Sequence, residues 1–141
     1  MLDFSVLIIP LFVIAAVNFI LSWLYYSPVV PWFKIWAKGV GMDINKTEMS
    51  EEDKKSMPRL MGGALISTFL ISYGLQIIIH SIKADNFIMG ALIGFVVWFT
   101  FSLTHSLNTQ FEGRKPVVLL INNCLYLLTF SLYGGILAIW K

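Results

Sequence analysis

Hydrophobic residues form four long runs along this chain, and shorter polar and charged stretches separate them. Each run has at least the roughly 20 residues that a helix needs to cross about 30 Å of hydrocarbon. Backbone groups in lipid must be hydrogen-bonded within their own segment, so each run is predicted to be a helix. The predicted spans are residues 4–26, 59–82, 87–107 and 117–140.

The connection between the first two runs, residues 27–58, contains a short amphipathic segment. Trp32, Trp36 and Val40 fall on one helical face, while Lys34 and Lys38 lie away from it. This pattern is typical of a helix in the membrane interface, with Trp at headgroup level and Lys reaching water. The sequence therefore predicts an all-α integral membrane protein: one membrane domain over residues 1–141, with four transmembrane helices in a bundle and an interfacial helix over 31–40.

The start of the second span is predicted from its proline. Pro58 is expected in the first turn of the helix, where its missing N–H costs nothing, and Ser56 is a suitable N-cap. Upstream, Ser50 and Asp53 have the spacing of a capping box, which predicts a separate short helix in the connection.

Lys and Arg are distributed unevenly among the connections. The rule that cytoplasmic loops carry more cations gives the direction of the spans. Eight of the ten cations fall on one predicted side, and the other two, Lys83 and Lys141, fall on the opposite side. Both termini are therefore predicted outside and residues 27–58 in the cytoplasm. The eight are Lys34, Lys38, Lys46, Lys54, Lys55, Arg59, Arg114 and Lys115.

The composition of the chain limits the functions that it can support. Only 13% of residues are charged and the net charge is +2, which gives no basis for nucleic-acid binding. Cys124 is the single cysteine, so neither an intrachain disulfide nor a Cys-based metal site is expected. His80 and His105 lie near opposite ends of the predicted bundle, which argues against a shared haem. No catalytic residue, metal ligand or cofactor is predicted, and the motifs of common enzymes are missing.

Mid-membrane ionisable residues are also missing from the predicted spans. Such residues usually mark proton relays and coupled transport. Their absence argues against a proton-coupled antiporter, but it is compatible with a passive pore or facilitator.

Polar residues recur at helical spacing in every predicted span, as in Ser72, Gln76 and His80 of the second and Thr100, Thr104 and Asn108 of the third. A stripe of this kind is expected to face other protein, within one chain or across an oligomer. Depth along the spans places one cluster in the cytoplasmic half. This candidate ligand-binding cluster consists of Asn18, Ser22, Tyr25, His105, Asn108, Asn122, Asn123 and Tyr126.

Two interpretations of the cluster remain open. It can line a cavity for a polar ligand, or for a cationic ligand that contacts aromatic rings. Alternatively its members hydrogen-bond one another and fix the bundle, at about 0.6 kcal/mol per bond on average.

Small residues indicate where helices approach closely. Gly90 and Gly94 form a GxxxG pair in the third predicted span, and Gly134 follows in the fourth. Gly62 and Gly63 suggest a similar approach in the second.

Two stretches carry a resemblance to a known family. They are YYSPVVPWFKIW, residues 25–36, and FEGRKPVVLLINNCLYLLTFSLYGGILAIW, residues 111–140. In order and spacing they resemble the bacterial membrane family called domain of unknown function 1761. That resemblance implies four spans in a bacterial cytoplasmic membrane, a Trp-Tyr-Ser-Pro turn after the first and a Phe-Glu-Gly-Arg turn before the last. The chain departs from the pattern at Tyr25, where the family has Trp. The family brings no established activity.

The two turns lie on the predicted cytoplasmic side. The residue before a proline is pushed out of helical geometry, so the turn at Tyr26 and Ser27 stops the first helix. We expect the turns to meet, with Glu112 or Arg114 near Tyr25, Tyr26 or Ser27. The alternative is that each turn is only a local helix stop.

The leading functional hypothesis is a small homo-oligomeric carrier or channel-like protein in the lipid bilayer, with a polar cavity that faces the cytoplasm and takes a small-molecule or lipid ligand. The alternative is a structural or lipid-interacting protein that transports nothing. A third hypothesis, an enzyme that uses His105 with Glu112, has less support.

Overall fold

The structure is a computed structural model that describes residues 2–45 and 50–140. Four helices are long and apolar enough to span a membrane, and a short helix lies between the first two of them. The predicted all-α multi-pass membrane fold is therefore confirmed, and no strand occurs in the described part of the chain. The helices are α1 (Ile8–Tyr25), α2 (Phe33–Gly39), α3 (Glu51–Ile82), α4 (Phe87–Phe111) and α5 (Pro116–Ile139).

The two ends of the bundle differ in charge and in packing. The lysine-rich end holds the connection between α1 and α3 and the turn between α4 and α5. The opposite end holds residues 2–7, the turn between α3 and α4 and the end of α5. A hydrophobic core of side chains from α1, α3 and α5 fills the opposite end, and it includes Ile14, Leu75, Ile79 and Leu137.

Helix α3 is longer than predicted at its start. It begins at Glu51, and the Ser50 hydroxyl caps it by accepting the Asp53 N–H at 3.1 Å. The predictions of a start at Pro58 and of a separate short helix upstream are wrong. Three acidic residues in the first turn favour the earlier start, and Pro58 is accommodated inside the helix. Ser56 is not a cap; its hydroxyl donates to the Asp53 carbonyl at 3.0 Å.

Helices α4 and α5 pack closely through glycine. A Cβ at Gly90 would collide with the Gly134 carbonyl oxygen, and one at Gly94 would collide with the Phe130 carbonyl oxygen. The close approach predicted for the GxxxG pair is therefore confirmed.

The same prediction is wrong for α3. A Cβ at Gly62 or Gly63 would meet open space, because the first half of α3 lies away from the other helices. Exposed side chains such as Leu60 and Ile66 cover this half, which extends from the lysine-rich end.

Helix α1 begins later than predicted, at Ile8, and residues 2–7 are not helical. The fully buried side chain of Gln76 holds its start in place. The Gln76 amide donates to the Leu7 carbonyl at 3.3 Å and accepts the Leu7 N–H at 3.3 Å. Ser72, one turn earlier on the same face, is also fully buried. The polar stripe of α3 thus faces protein, as predicted.

Candidate functional site

A crevice of about 300 Å³ lies between α1, α3, α4 and α5 in the lysine-rich half. Aromatic rings form much of its wall, and hydroxyl and amide groups form the rest. No carboxylate, lysine or arginine is among the described residues that line it. The aromatic and polar members are Asn18, Ser22, Tyr26, Ser67, Thr68, Phe101, Tyr126, Thr129, Phe130 and Tyr133.

Asn18 forms the polar edge of the crevice between α1 and α3. Its amide nitrogen donates to the Thr68 hydroxyl oxygen at 2.9 Å, and that hydroxyl donates to the Ala64 carbonyl. Among the described residues, only the Ser22 hydroxyl donates to the Asn18 side-chain oxygen, in a long hydrogen bond of 3.5 Å. This oxygen therefore keeps capacity to accept a hydrogen bond from a ligand.

Tyr126 forms the facing wall on α5, and its hydroxyl makes no hydrogen bond with the described part of the chain. The Phe101 ring stands edge-on to it, with centroids 6.1 Å apart. His105 packs against both rings, at 5.6 Å from Phe101 and 6.3 Å from Tyr126, but it does not line the crevice.

Asn122 makes different hydrogen bonds from Asn18. Its side-chain oxygen accepts two hydrogen bonds, from the Tyr26 hydroxyl at 2.8 Å and from the Trp36 indole N–H at 3.1 Å. Tyr25 makes a parallel link, since its hydroxyl donates to the Ile121 carbonyl at 2.9 Å. These bonds fasten the end of α1 and helix α2 to the first turns of α5.

Asn123 joins α4 to α5. Its amide nitrogen donates to the Ser106 hydroxyl at 2.8 Å, and its backbone carbonyl accepts the Trp98 indole N–H at 3.0 Å. Neither Asn122 nor Asn123 lines the crevice, so neither shares a site with Asn18. Of the predicted cluster, the structure brings only Asn18, Ser22 and Tyr126 to the crevice.

The polar stripe of α4, predicted to face other protein within the chain or across an oligomer, faces outward from the single chain. Thr100, Thr104 and Asn108 are exposed. The Thr100 hydroxyl donates to the Val97 carbonyl and the Thr104 hydroxyl to the Thr100 carbonyl, so their polarity is satisfied within the helix. The glycine face of α4 sets which side contacts α5 within the chain, and contact of this stripe with a second copy stays a prediction.

Tyr26 beside the first turn and Arg114 of the second turn both line a second pocket, of about 580 Å³, at the lysine-rich end; direct contact between the two turns stays a prediction. Arg114 and Glu112 pair with each other at 3.2 Å between Nε and Oε2. Gly113 between them has a positive φ of 71°, which glycine adopts without strain. The Ser27 hydroxyl is buried in the first turn and makes no hydrogen bond with described residues.

The aromatic face of α2, predicted to contact the lipid interface, packs on the bundle. The Trp36 ring lies 4.5 Å from that of Tyr26, and Trp32 lies 4.9 Å from Tyr25. Trp32 also donates its indole N–H to the Tyr25 carbonyl at 3.0 Å. The fully buried Ala37 lies on the same short helix. Sequence reasoning missed these contacts, although the two tyrosines directly before α2 are a signal for them.

The opposite end holds a shallow polar pocket near the start of the chain. Asp3 accepts the Ser5 N–H at 2.9 Å, and hydrogen bonds from Ser5 hold the pKa of the exposed Asp3 carboxyl below its ordinary value. His80 lies 3.5 Å from the Ser5 hydroxyl. Within residues 2–45 and 50–140, no group of His, Cys, Asp and Glu could hold a metal ion.

Fold and site together define a four-span α-helical membrane protein with an uncharged, aromatic-walled crevice in its lysine-rich half. The chain belongs to the family described as protein of unknown function (DUF1761), whose family model matches residues 9–138. The match extends from α1 to α5 and agrees with the resemblance in the two turn motifs. No curated protein and no solved structure matches the chain.

Proposed function

We propose that this protein is a membrane carrier that binds a small neutral or cationic molecule in the crevice. The observation that supports the proposal is the crevice itself: it keeps about 300 Å³ of open volume where neighbouring amides are already hydrogen-bonded. The Asn18 carbonyl and the Tyr126 hydroxyl supply polar contacts for the ligand. A bundle built only for packing has no use for open volume beside underused polar atoms.

The class of ligand is inferred from the residues that line the crevice. With no cation in the lining, an anion would lose its hydration without compensation. A quaternary ammonium group, by contrast, is attracted to the faces of Phe and Tyr rings such as those of Phe101, Tyr126 and Phe130. A neutral polyol would use the hydroxyl and amide groups.

The mode of transport follows from the packing. Leu75, Ile79 and Leu137 belong to the core that packs the opposite end, so we expect the crevice to open toward one half of the membrane only. Passage therefore requires α3 to move, or a path between copies in a homo-oligomer. The loosely packed first half of α3 is the element that can move.

The proposal includes an orientation in a bacterial inner membrane. The cation bias places the lysine-rich end, and hence the crevice, on the cytoplasmic side. Single cysteines introduced at Asn45 and at Asp85 in a Cys124→Ser background test this in intact cells. An impermeant thiol reagent should label only Asp85→Cys; labelling of only Asn45→Cys would reverse the orientation.

The carrier proposal is tested by counterflow in proteoliposomes with labelled choline, erythritol and lactate. We expect exchange of choline or erythritol and none of lactate. Ser67→Phe places a ring in the crevice and should abolish exchange. The control is Ile66→Phe, which places the same ring at a neighbouring position that is 62% exposed and outside the crevice. Equal exchange in the two variants would contradict the proposal.

A structural function is the second candidate. It is supported by Asn122, whose two hydrogen bonds hold three segments together, and by Asn123, which joins α4 to α5. If none of the three compounds binds or exchanges, while substitution of these amides unfolds the bundle, this candidate is favoured.

A further inference from the structure

The second pocket, between α2 and the start of α5, differs from the crevice in its charge. Its volume is about 580 Å³, and Arg114 and Lys115 line it together with Asn122 and Trp36. Tyr26 lines both cavities. The pocket lies at the lysine-rich end, beside the turn between α4 and α5, and the carrier proposal does not use it.

The hydrogen-bonding groups of this pocket are mainly donors. Because the Asn122 oxygen accepts bonds from Tyr26 and Trp36, the orientation of the amide is fixed. Asn122 lines the pocket, and its amide nitrogen makes no hydrogen bond to any residue that the structure describes.

The two cations add charged donors. Lys115 forms no ion pair with the described part of the chain. The ion pair of Arg114 with Glu112 is at 3.2 Å between Nε and Oε2, and a guanidinium has five N–H donors, more than one carboxylate accepts. The pocket also adjoins the first turn of α5, where the helix dipole favours negative charge. Glu112, the partner of Arg114, is more than half exposed and does not line the pocket.

We propose that this pocket binds a phosphate group, carried either by an anionic lipid headgroup or by a soluble phosphate. A guanidinium, an ammonium and an amide N–H₂ match the several acceptor oxygens of a phosphate, which none of these groups could satisfy alone. Basic pockets beside transmembrane helices at the cytoplasmic surface are the usual form of a lipid headgroup site. The aromatic wall of Trp36 and Tyr26 suits the interface, where apolar and polar groups adjoin.

The experiment measures binding of dioctanoyl-phosphatidylglycerol to the full-length protein in neutral detergent by native mass spectrometry. Dioctanoyl-phosphatidylcholine is the zwitterionic reference. We expect Arg114→Gln with Lys115→Gln to weaken phosphatidylglycerol binding about 30-fold, since each cation near an anionic headgroup contributes about 1 kcal/mol. Lys34→Gln with Lys38→Gln is the matched control: it removes the same charge from exposed positions outside the pocket.

Asn122→Asp is a second variant with a separate readout. It keeps an oxygen acceptor for Tyr26 and Trp36, so the fold is preserved, but it replaces the amide donor with a carboxylate. Binding should fall while thermal stability in detergent stays near that of the wild type.

Inorganic phosphate distinguishes the two sources of the phosphate group. If millimolar phosphate displaces the lipid, the site serves a soluble phosphate; if it does not, the site serves a lipid headgroup. Either result supports the site when the Arg114 and Lys115 variant loses binding. Equal loss in the control pair, or no preference for phosphatidylglycerol over phosphatidylcholine, would overturn it.

Discussion

The Tyr26 hydroxyl donates a hydrogen bond of 2.8 Å to the side-chain oxygen of Asn122, 96 residues further along the chain. The same oxygen accepts the Trp36 indole N–H at 3.1 Å. One acceptor thus holds the end of α1, helix α2 and the first turns of α5. Tyr26 also lines both the crevice and the basic pocket, so this contact joins the packing of the lysine-rich end to both proposed sites.

Asn122→Ala is expected to destabilise the bundle more than Tyr26→Phe. The alanine leaves two donors without an acceptor, at about 1–3 kcal/mol, while the phenylalanine removes one interhelical bond worth about 0.6 kcal/mol. The free energy of unfolding in mixed micelles measures both. A double-mutant cycle should show non-additivity, because the two substitutions remove one shared bond.

The control for this comparison is Asn108→Ala. Asn108 is exposed on α4, and its side chain makes no hydrogen bond to a residue the structure describes. Its substitution should change the free energy of unfolding by less than about 0.5 kcal/mol. An effect as large as that of Asn122→Ala would show that the amides act through their polarity alone and not through these hydrogen bonds.

Most of the fold could be predicted from the sequence because a membrane imposes simple rules. Length and hydrophobicity fix the four spans, and the GxxxG pair at Gly90 and Gly94 indicates where α4 meets its neighbour. The start of α3 could not be fixed in the same way. A proline is compatible with both a helix start and a helix interior, and only the Ser50 cap decides between them.

The candidate site was predictable only in part. Asn18, Ser22 and Tyr126 do line one cavity, since residues at equal depth on inward faces meet. The sequence pattern predicts Asn122 in a ligand site and Trp36 in the lipid interface. In the structure the Trp36 indole N–H instead donates a hydrogen bond to the Asn122 side-chain oxygen. Helical spacing gives the face of a residue relative to its own helix only. It gives neither the rotation of that helix against its neighbours nor the partner that a polar group finds.

Gly94→Ala is expected to disrupt the α4–α5 contact. The added methyl group would overlap the Phe130 carbonyl oxygen, and backbone cannot move aside as a flexible side chain can. We expect a loss of about 1–3 kcal/mol in the free energy of unfolding, the usual range for overpacking. Gly63→Ala is the matched control, because open space surrounds it and alanine favours a helix by up to about 1 kcal/mol. A neutral Gly94→Ala would contradict the close crossing.

Gln76→Leu tests the hydrogen bonds that hold the start of α1. Leucine has a similar size but would leave the Leu7 N–H and carbonyl without their partner, at about 1–3 kcal/mol. Thermal unfolding in detergent should show the loss. Gln110→Leu, at an exposed position on α4, should leave the stability within about 0.5 kcal/mol. Equal effects at the two positions would argue that the buried amide does not fasten α1.

Tyr26→Ala is expected to connect the crevice with the basic pocket, whereas Tyr26→Phe keeps the ring between them. Both variants lose the hydroxyl bond to Asn122, so the comparison isolates the ring. The measurement is the reaction rate of a cysteine at Thr129, which lines the crevice, with a charged thiol reagent in a Cys124→Ser background. The rate should rise several-fold with alanine and stay unchanged with phenylalanine. A cysteine at the exposed Asn45 should react equally in both, and the same rate at Thr129 in both would show that the ring does not separate the cavities.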